Sequence, residues 1–477
     1  MERHPSKQHL LSRRHFGQVV VGGSLIAGID ASSRPWAASA AGTPSLAGTL
    51  RTDEETLVAY AGDHGNLIHK RPRAVFSPSS VEDLASIVKY ARRHGLRIAA
   101  RGQGHQPFGQ AQVNDGIVVD VSTLRSVDSV SGDQVVVDAG AEWGSVLSAA
   151  LVAHRAPPVL PNYLELTVGG TLSIGGVGIA TVRHGAQVDQ VSELQVVTGT
   201  GDLVWCSDRE QVDLFHAALA GQGQCGIVAR VVQRLVAASP RVREYTFAYA
   251  DLPTLLQDQR ASLLSRRCDG LVAMIVATPN GWQYQLQTAR MHAPPDVPND
   301  AGFTAESAAA SVQTRDLGYE EYMNTTLYVE TPGAHVDVGL LIPEPAAVSF
   351  LNEALPRLNA TDLGAALAMR VFVWDREVFT RPLFRLPDSE RCVYVAILRA
   401  PATEPEAAAR ALAGNRSLFE AARRLGGTLY PFGALELTRR DWQRHYAEQW
   451  PALAHAKRRY DPSNVFASGP DLFARTG

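Results

Sequence analysis

Apolar positions along the first half of the chain change period in a regular order, and that order predicts a βαβ unit. Arg73 to Pro78 reads as a short strand, and Val81, Leu84, Ile87, Val88 and Ala91 then fall on one face of a helix. Ser80 can cap that helix, Glu82 and Asp83 suit its first turn, and Gly95 ends it. Leu96 to Ala100 returns as a strand and delivers the chain into a glycine-rich loop, RGQGHQPFGQ at 101–110, before the apolar run Ile117 to Val121. A shorter helix is expected ahead of the unit, at Asp53 to Tyr60.

The pattern continues with a strand at Gln134 to Ala139 and a helix from Glu142 to His154. A second glycine-dense stretch, Thr167 to Gly178, suits backbone packed closely on a flat ligand, with a tight crossing of two backbones as the alternative. Ser192 to Thr198 and Leu203 to Cys206 form a hairpin through Gly199-Thr200-Gly201-Asp202, a helix covers Arg209 to Ala220, and Ile227 to Val232 is a strand. Ser239-Pro240 then breaks the pattern. Beyond it, Glu244 to Tyr249, Gly270 to Ala277, Trp282 to Ala289, Val336 to Ile342 and Val393 to Leu398 alternate like strands of one antiparallel sheet. Helices are expected at Leu252 to Ser265, Glu344 to Leu358 and Glu404 to Leu425, and a final one from Asp441 through Arg459. The expected fold is α+β: a two-lobed first domain at 65–238 (the βαβ unit plus a mixed sheet), a second α+β domain on an antiparallel sheet at 239–440, and a tail at 441–477 that returns to the first domain.

Composition adds constraints without changing that outline. At 477 residues the chain exceeds one ordinary core, and 45% hydrophobic with 19% charged residues is a globular balance. Residues 1–40 carry five basic and two acidic side chains, a charge of +3, so the remainder of a chain of net charge −3 stands at −6. A mildly acidic body gives no reason to expect nucleic acid as a partner, or a membrane for the mature form. Ser12-Arg13-Arg14-His15-Phe16, a weakly apolar run from Val19 to Ile29 and Ala38-Ser39-Ala40 follow the order of a twin-arginine signal peptide, so 1–40 is expected to be a leader and the mature protein periplasmic or extracellular. Cys206, Cys225, Cys268 and Cys392 lack C-x-x-C spacing, which argues against zinc and for buried thiols; no metal site is expected.

The loop at 101–110 is where chemistry is expected. Its glycines let backbone N–H groups approach a phosphate, and His105 can be bonded, protonated or alkylated. Five stretches in order, RGQGHQPFGQAQ (101–112), NYLELTVGGTLSIGG (162–176), RHGAQVDQVSELQVVTGTGDLVWCS (183–207), GQGQCGIVAR (221–230) and YDPSNVFASGPDLF (460–473), resemble the vanillyl-alcohol oxidase class of flavoproteins, with its para-cresol methylhydroxylase-type FAD domain. Within that class the chain is most similar to the cytokinin dehydrogenases.

The resemblance implies that Gly102, Gln103, Gly104 and Gln106, assisted by Gln110, wrap the FAD pyrophosphate, and that His105 bonds covalently to the flavin. It also implies FAD contacts from Thr167, Gly169, Gly170, Thr171, Ser173 and Val177, with Ile227 and Val228 on the adenine side. Two departures matter. Asn162 stands where the family carries an aspartate that accepts the substrate's proton, and an amide orients a substrate without being a useful base. Gln106 and Pro470 replace a serine and a glutamine beside the flavin. Replacement bases are sought in Glu165, Glu330 and Tyr430, each with a bland reading as rim or core, while Trp442 and His445 read as structural. The expected activity is oxidation of a small-molecule amine or alcohol by hydride transfer to FAD, with oxygen or another acceptor reoxidising the cofactor. The alternatives are an alcohol or sugar oxidase of the same class and a relative that holds flavin without turnover.

Overall fold

The computed structural model describes residues 46–304, 308–323, 332–358, 369–466 and 472–473. The leader, Glu330 and Pro470 therefore lie outside the described residues. Leu46–Gly477 forms one compact unit.

The βαβ unit forms as the pattern predicts. Strands Ala74–Ser77, Ile117–Asp120 and Ile98–Arg101 pair in parallel, with Thr49–Arg51 antiparallel on the outer edge. The crossover helix Val81–Arg93 starts where the Ser80 hydroxyl accepts the Asp83 N–H and buries Leu84, Ile87, Val88 and Ala91. A second four-stranded sheet is wholly antiparallel, ordered Gln134–Asp138, Ile227–Arg234, Val191–Val197, Leu203–Ser207.

The third sheet has eight strands in the order 311–318, 241–249, 281–292, 270–278, 369–375, 391–397, 338–343, 428–430, and every pairing is antiparallel. Three of these strands, Ser311–Gly318, Met369–Asp375 and Thr428–Tyr430, escaped the sequence reading. The first exposes most of its residues and the last is three residues long, so neither has a readable period. Helix Leu252–Ser265 packs on this sheet, and its Gln259 Nε2 donates to the Val371 carbonyl at 2.7 Å.

Two expected helices are interrupted, both by proline. The one at Glu344 to Leu358 is α-helical only over Ala347–Ala354, with tighter turns holding Pro345 and Pro356 on either side. The last helix divides into Arg439–Tyr446 and Trp450–Tyr460, because Pro451 opens a new first turn and Ala447 takes a left-handed φ of 43° before it. After Tyr460 the chain is pinned by a buried ion pair, Lys457 Nζ to Asp461 at 2.6 Å. Lys457 also donates to the Gln224 and Phe466 carbonyls, and the Ile98 N–H donates to Val465, so the tail pairs beside the parallel sheet.

Candidate active site

A cavity of about 810 Å³ opens where the 101–110 loop, the 161–178 segment and one face of the eight-stranded sheet meet. That volume is at the upper end of what small-molecule sites occupy. Its wall includes each of the predicted cofactor residues: Gly102, Gln103, Gly104, His105, Gln106 and Gln110 from the loop, Thr167, Gly169, Gly170, Thr171, Ser173 and Val177 from the second segment, and Ile227 and Val228. Asn162 and Tyr430 line it too.

The loop is shaped from behind. Gly104 has a φ of 68°, and a Cβ there would stand 2.4 Å from the Arg101 guanidinium. Arg101 is held by the Gly62 carbonyl at 2.5 Å and lies over the Tyr60 ring, whose hydroxyl donates to Asp120 at 2.5 Å. Asp63 takes the Gly109 N–H at 2.6 Å, and burial pushes its carboxyl up to about 6. On the cavity side, the backbone N–H groups of Gln103, Gly104 and Gln106 meet no acceptor among the described residues, and the buried Oε1 of Gln106 has no partner. Three free donors on a glycine turn fit a pyrophosphate, and an orphaned acceptor fits a hydroxyl or ring N–H, so the residues present suit FAD.

Not every predicted side chain is spent on the cavity. Gln103 Nε2 donates to Glu142, and Gln110 Oε1 accepts the Phe108 N–H, closing its own loop. The Thr171 hydroxyl takes the Trp143 indole N–H at 2.9 Å, and Ser173 donates to the Gly169 carbonyl at 2.7 Å. An added Cβ would lie 2.8 Å from Ala139 at Gly169, 2.5 Å from Phe384 at Gly175 and 1.9 Å from the Leu160 carbonyl at Gly178. At these positions the protein's own chain leaves no room for a side chain, and the same segment faces the cavity.

His105 is part of a group that sequence reading did not assemble. Its ring stacks on His64 at 4.1 Å, His64 stacks on His335 at 4.0 Å, and Tyr163 tilts against His105 at 5.0 Å. Burial pushes His105 down to about 4, with the charge of His335 adding to the effect, and burial with the charges of His105 and His335 takes His64 down to about 2. Both are neutral imidazoles at neutral pH. No local motif marks His64 or His335, which reach the loop from 41 residues before and 230 residues after His105.

Asn162, Arg370 and Phe372 line the main cavity and also a side chamber of about 80 Å³. Tyr430 is buried, accepts the Gly176 N–H at 3.0 Å, and has its phenol pushed far above the ordinary value by burial. It stands there as a neutral hydrogen-bonding group that lines the cavity. Glu165 is exposed and accepts the Tyr163 hydroxyl at 2.8 Å, outside both cavities. Among the described residues, the carboxylate that faces the main cavity is Asp337, whose Oδ1 accepts the Arg399 N–H at 2.8 Å. Burial raises it to about 6, against the pull of that bond and of the His335 and Arg399 charges. A lone aspartate in an otherwise apolar alternating run, Val336 to Ile342, was the available signal. Trp442 and His445 are buried edge to face at 5.7 Å, away from the cavity wall. No group of side chains among the described residues could hold a metal ion, and no described helix is long and apolar enough to cross a membrane.

Comparison with known proteins gives the class. Residues 72–207 match a family described as an FAD binding domain, and 333–473 match one described as the FAD and cytokinin binding region of cytokinin dehydrogenase 1. A solved structure of 6-hydroxy-D-nicotine oxidase from Arthrobacter nicotinovorans superposes with a TM-score of 0.71 over 90% of this chain and 99% of that one, at 23% identity, so it shares the fold. An uncharacterised oxidoreductase of the fasciation locus of Rhodococcoides fascians is 34% identical over 89% of this chain and 99% of its own length. Cytokinin dehydrogenase 4 of Oryza sativa subsp. japonica is 30% identical over 87% of this chain and 89% of its own. The protein is an FAD-dependent oxidoreductase of the vanillyl-alcohol oxidase class, and within it the chain belongs to the cytokinin dehydrogenase family.

Proposed function

We propose that the protein oxidises a small organic substrate at a C–H bond next to nitrogen or oxygen, with FAD held through His105, after export by the twin-arginine pathway. The observation that carries this reading is the cavity itself: unbonded N–H groups of the 101–110 loop on one side, and on the other a sheet face presenting Tyr430, Asp337 and Arg370. FAD supplies the two-electron acceptor. Gln103, Gly104 and Gln106 hold its pyrophosphate through their backbone, and Ile227 and Val228 pack its adenine end. His105, half-buried and kept neutral by desolvation, retains an unprotonated ring nitrogen, the form that can be alkylated. Asn162 orients the substrate, and Tyr430 offers a neutral hydroxyl fixed by Gly176.

Among the described residues that line the cavity, Asp337 is the carboxylate able to receive a proton. A carboxyl raised to about 6 is ionised at neutral pH while remaining a stronger base than an ordinary aspartate. It takes the part that an aspartate at position 162 plays in the family.

The test is anaerobic. Purified protein is yellow, and a panel of amines and alcohols is mixed with it while the flavin absorbance is followed; bleaching by one of them is expected. Spectral shifts without bleaching across the whole panel would support a flavin-holding binder, the reading favoured by the amide at Asn162. Acid precipitation separates covalent from free flavin: colour stays with the pellet in the wild type and moves to the supernatant in His105→Ala. Export is checked by fractionation of cells carrying either the wild-type leader or one with both Arg13→Lys and Arg14→Lys, and the doubly substituted protein is expected to stay inside.

A further inference from the structure

The side chamber beside Asn162 is built unlike the rest of the cavity. Arg370 lies on strand Met369–Asp375, pairing with Met274 on one side and Ala396 on the other, and its side chain lines both chambers. It makes no hydrogen bond and no ion pair among the described residues. Asn162 and Gln287, which line the same chamber, have carboxamides that are likewise unpartnered there. Glu244 also faces the chamber, but its charge is met by Arg315, whose Nε donates to it at 2.8 Å. The remaining wall includes Ile179, Val272, Met274 and Phe372. Among the described residues, the chamber thus carries one guanidinium with no ion-pair partner and two free amide groups, in largely apolar surroundings.

A guanidinium in such a place is costly until an anion meets it, and its planar fork matches the two oxygens of a carboxylate. We propose that the substrate carries a carboxylate, received in this chamber by Arg370 with Asn162 and Gln287, while its oxidisable end stays in the main cavity facing Asp337. The proposal rests on the reading of that cavity as the oxidoreductase site and names the substrate class it serves. Asn162 acquires a definite task in it: an aspartate there would repel the carboxylate, and an amide donates to it.

Benzoate and benzamide, alike in shape and different in charge, are the probes. Each is titrated into the purified flavin-loaded protein and read by calorimetry and by the flavin absorbance. Benzoate is expected to bind more tightly than benzamide by roughly 10- to 100-fold, the range of a charge-assisted hydrogen bond. R370Q loses that preference and R370K keeps part of it. The wild-type comparison needs no variant, so a poorly folding R370Q leaves the test intact. Equal affinity for the two probes, or binding of neither, overturns the proposal. So does an R370Q protein that keeps its benzoate preference while its flavin changes affinity for sulfite, since Arg370 would then serve the cofactor. A chain that takes up no flavin fails the oxidoreductase reading separately, and calorimetry on it still reads the preference at Arg370.

Discussion

Buried titratable groups give this protein opposing responses to pH, and single residues separate them. His445 is enclosed with neither ring nitrogen bonded, and burial pushes it down to about 3. Its folded value is depressed, so the unfolded chain takes up a proton below about 6.5 that the folded one refuses, and stability is lost as pH falls from there. His445→Leu is expected to flatten the acid limb of a stability-against-pH curve measured by urea unfolding between pH 7 and 4. Asp337 works in the opposite direction. Its folded value is raised to about 6 from 3.8, so the unfolded chain releases its proton first and stability falls as pH rises through that window. Asp337→Asn should then be more stable than wild type at pH 7.5, by at most about 3 kcal/mol, while losing most turnover of any substrate that the panel identifies. A variant that gains no stability, or keeps its rate, would remove Asp337 from the role of base. Gly178→Ala tests a different constraint. Its Cβ would stand 1.9 Å from the Leu160 carbonyl, a backbone atom with little room to retreat. A loss of about 2 kcal/mol or more in denaturant unfolding is expected.

Among the elements, the link between Trp450–Tyr460 and the residues after it concentrates buried polar contacts on one carboxylate. Lys457 and Asp461 are both buried, and Asp461 also takes the Val465 and Phe466 N–H groups. Removing one partner leaves a charge without compensation, so Asp461→Ala should cost about 3–5 kcal/mol. The double change Lys457→Met with Asp461→Leu should cost less than either single one, as read from midpoint shifts in guanidinium. This lock was not legible in the sequence, where a Lys and an Asp four apart on a helix look like any exposed pair. The βαβ unit was legible almost to the residue, because its helix has a wide apolar stripe and a serine cap that no tertiary contact overrides. Strand Met369–Asp375 was missed although its burial is high, since RVFVW is too short and too evenly apolar to show which face it presents. Missing it also hid Arg370. The loop at 101–110 announced a cofactor cradle through its glycines. His64 and His335, in contrast, come together with His105 only through the fold, and no period or spacing in the chain records that.

At the scale of the whole molecule, the cavity joins segments from His64 to Phe466, so its contents bear on global stability. If His105 tethers the flavin as proposed, His105→Ala is expected to make it dissociable. Its melting temperature should then rise with added FAD, reaching about 2.7 kcal/mol of stabilisation when free FAD stands at a hundred times its Kd, whereas wild type should be insensitive to added FAD. Thermal scans at several FAD concentrations decide this.

The pairing of Val465 with Ile98 sets an order of events during synthesis. The parallel strands and the 101–110 loop leave the ribosome early, yet Phe466, which completes the cavity wall, emerges only after the entire eight-stranded sheet has been made. A chain halted before Val465 lacks that part of the wall, and it is expected to stay colourless however much FAD surrounds it. Cofactor capture is therefore expected to come late in synthesis, once Phe466 has joined the wall.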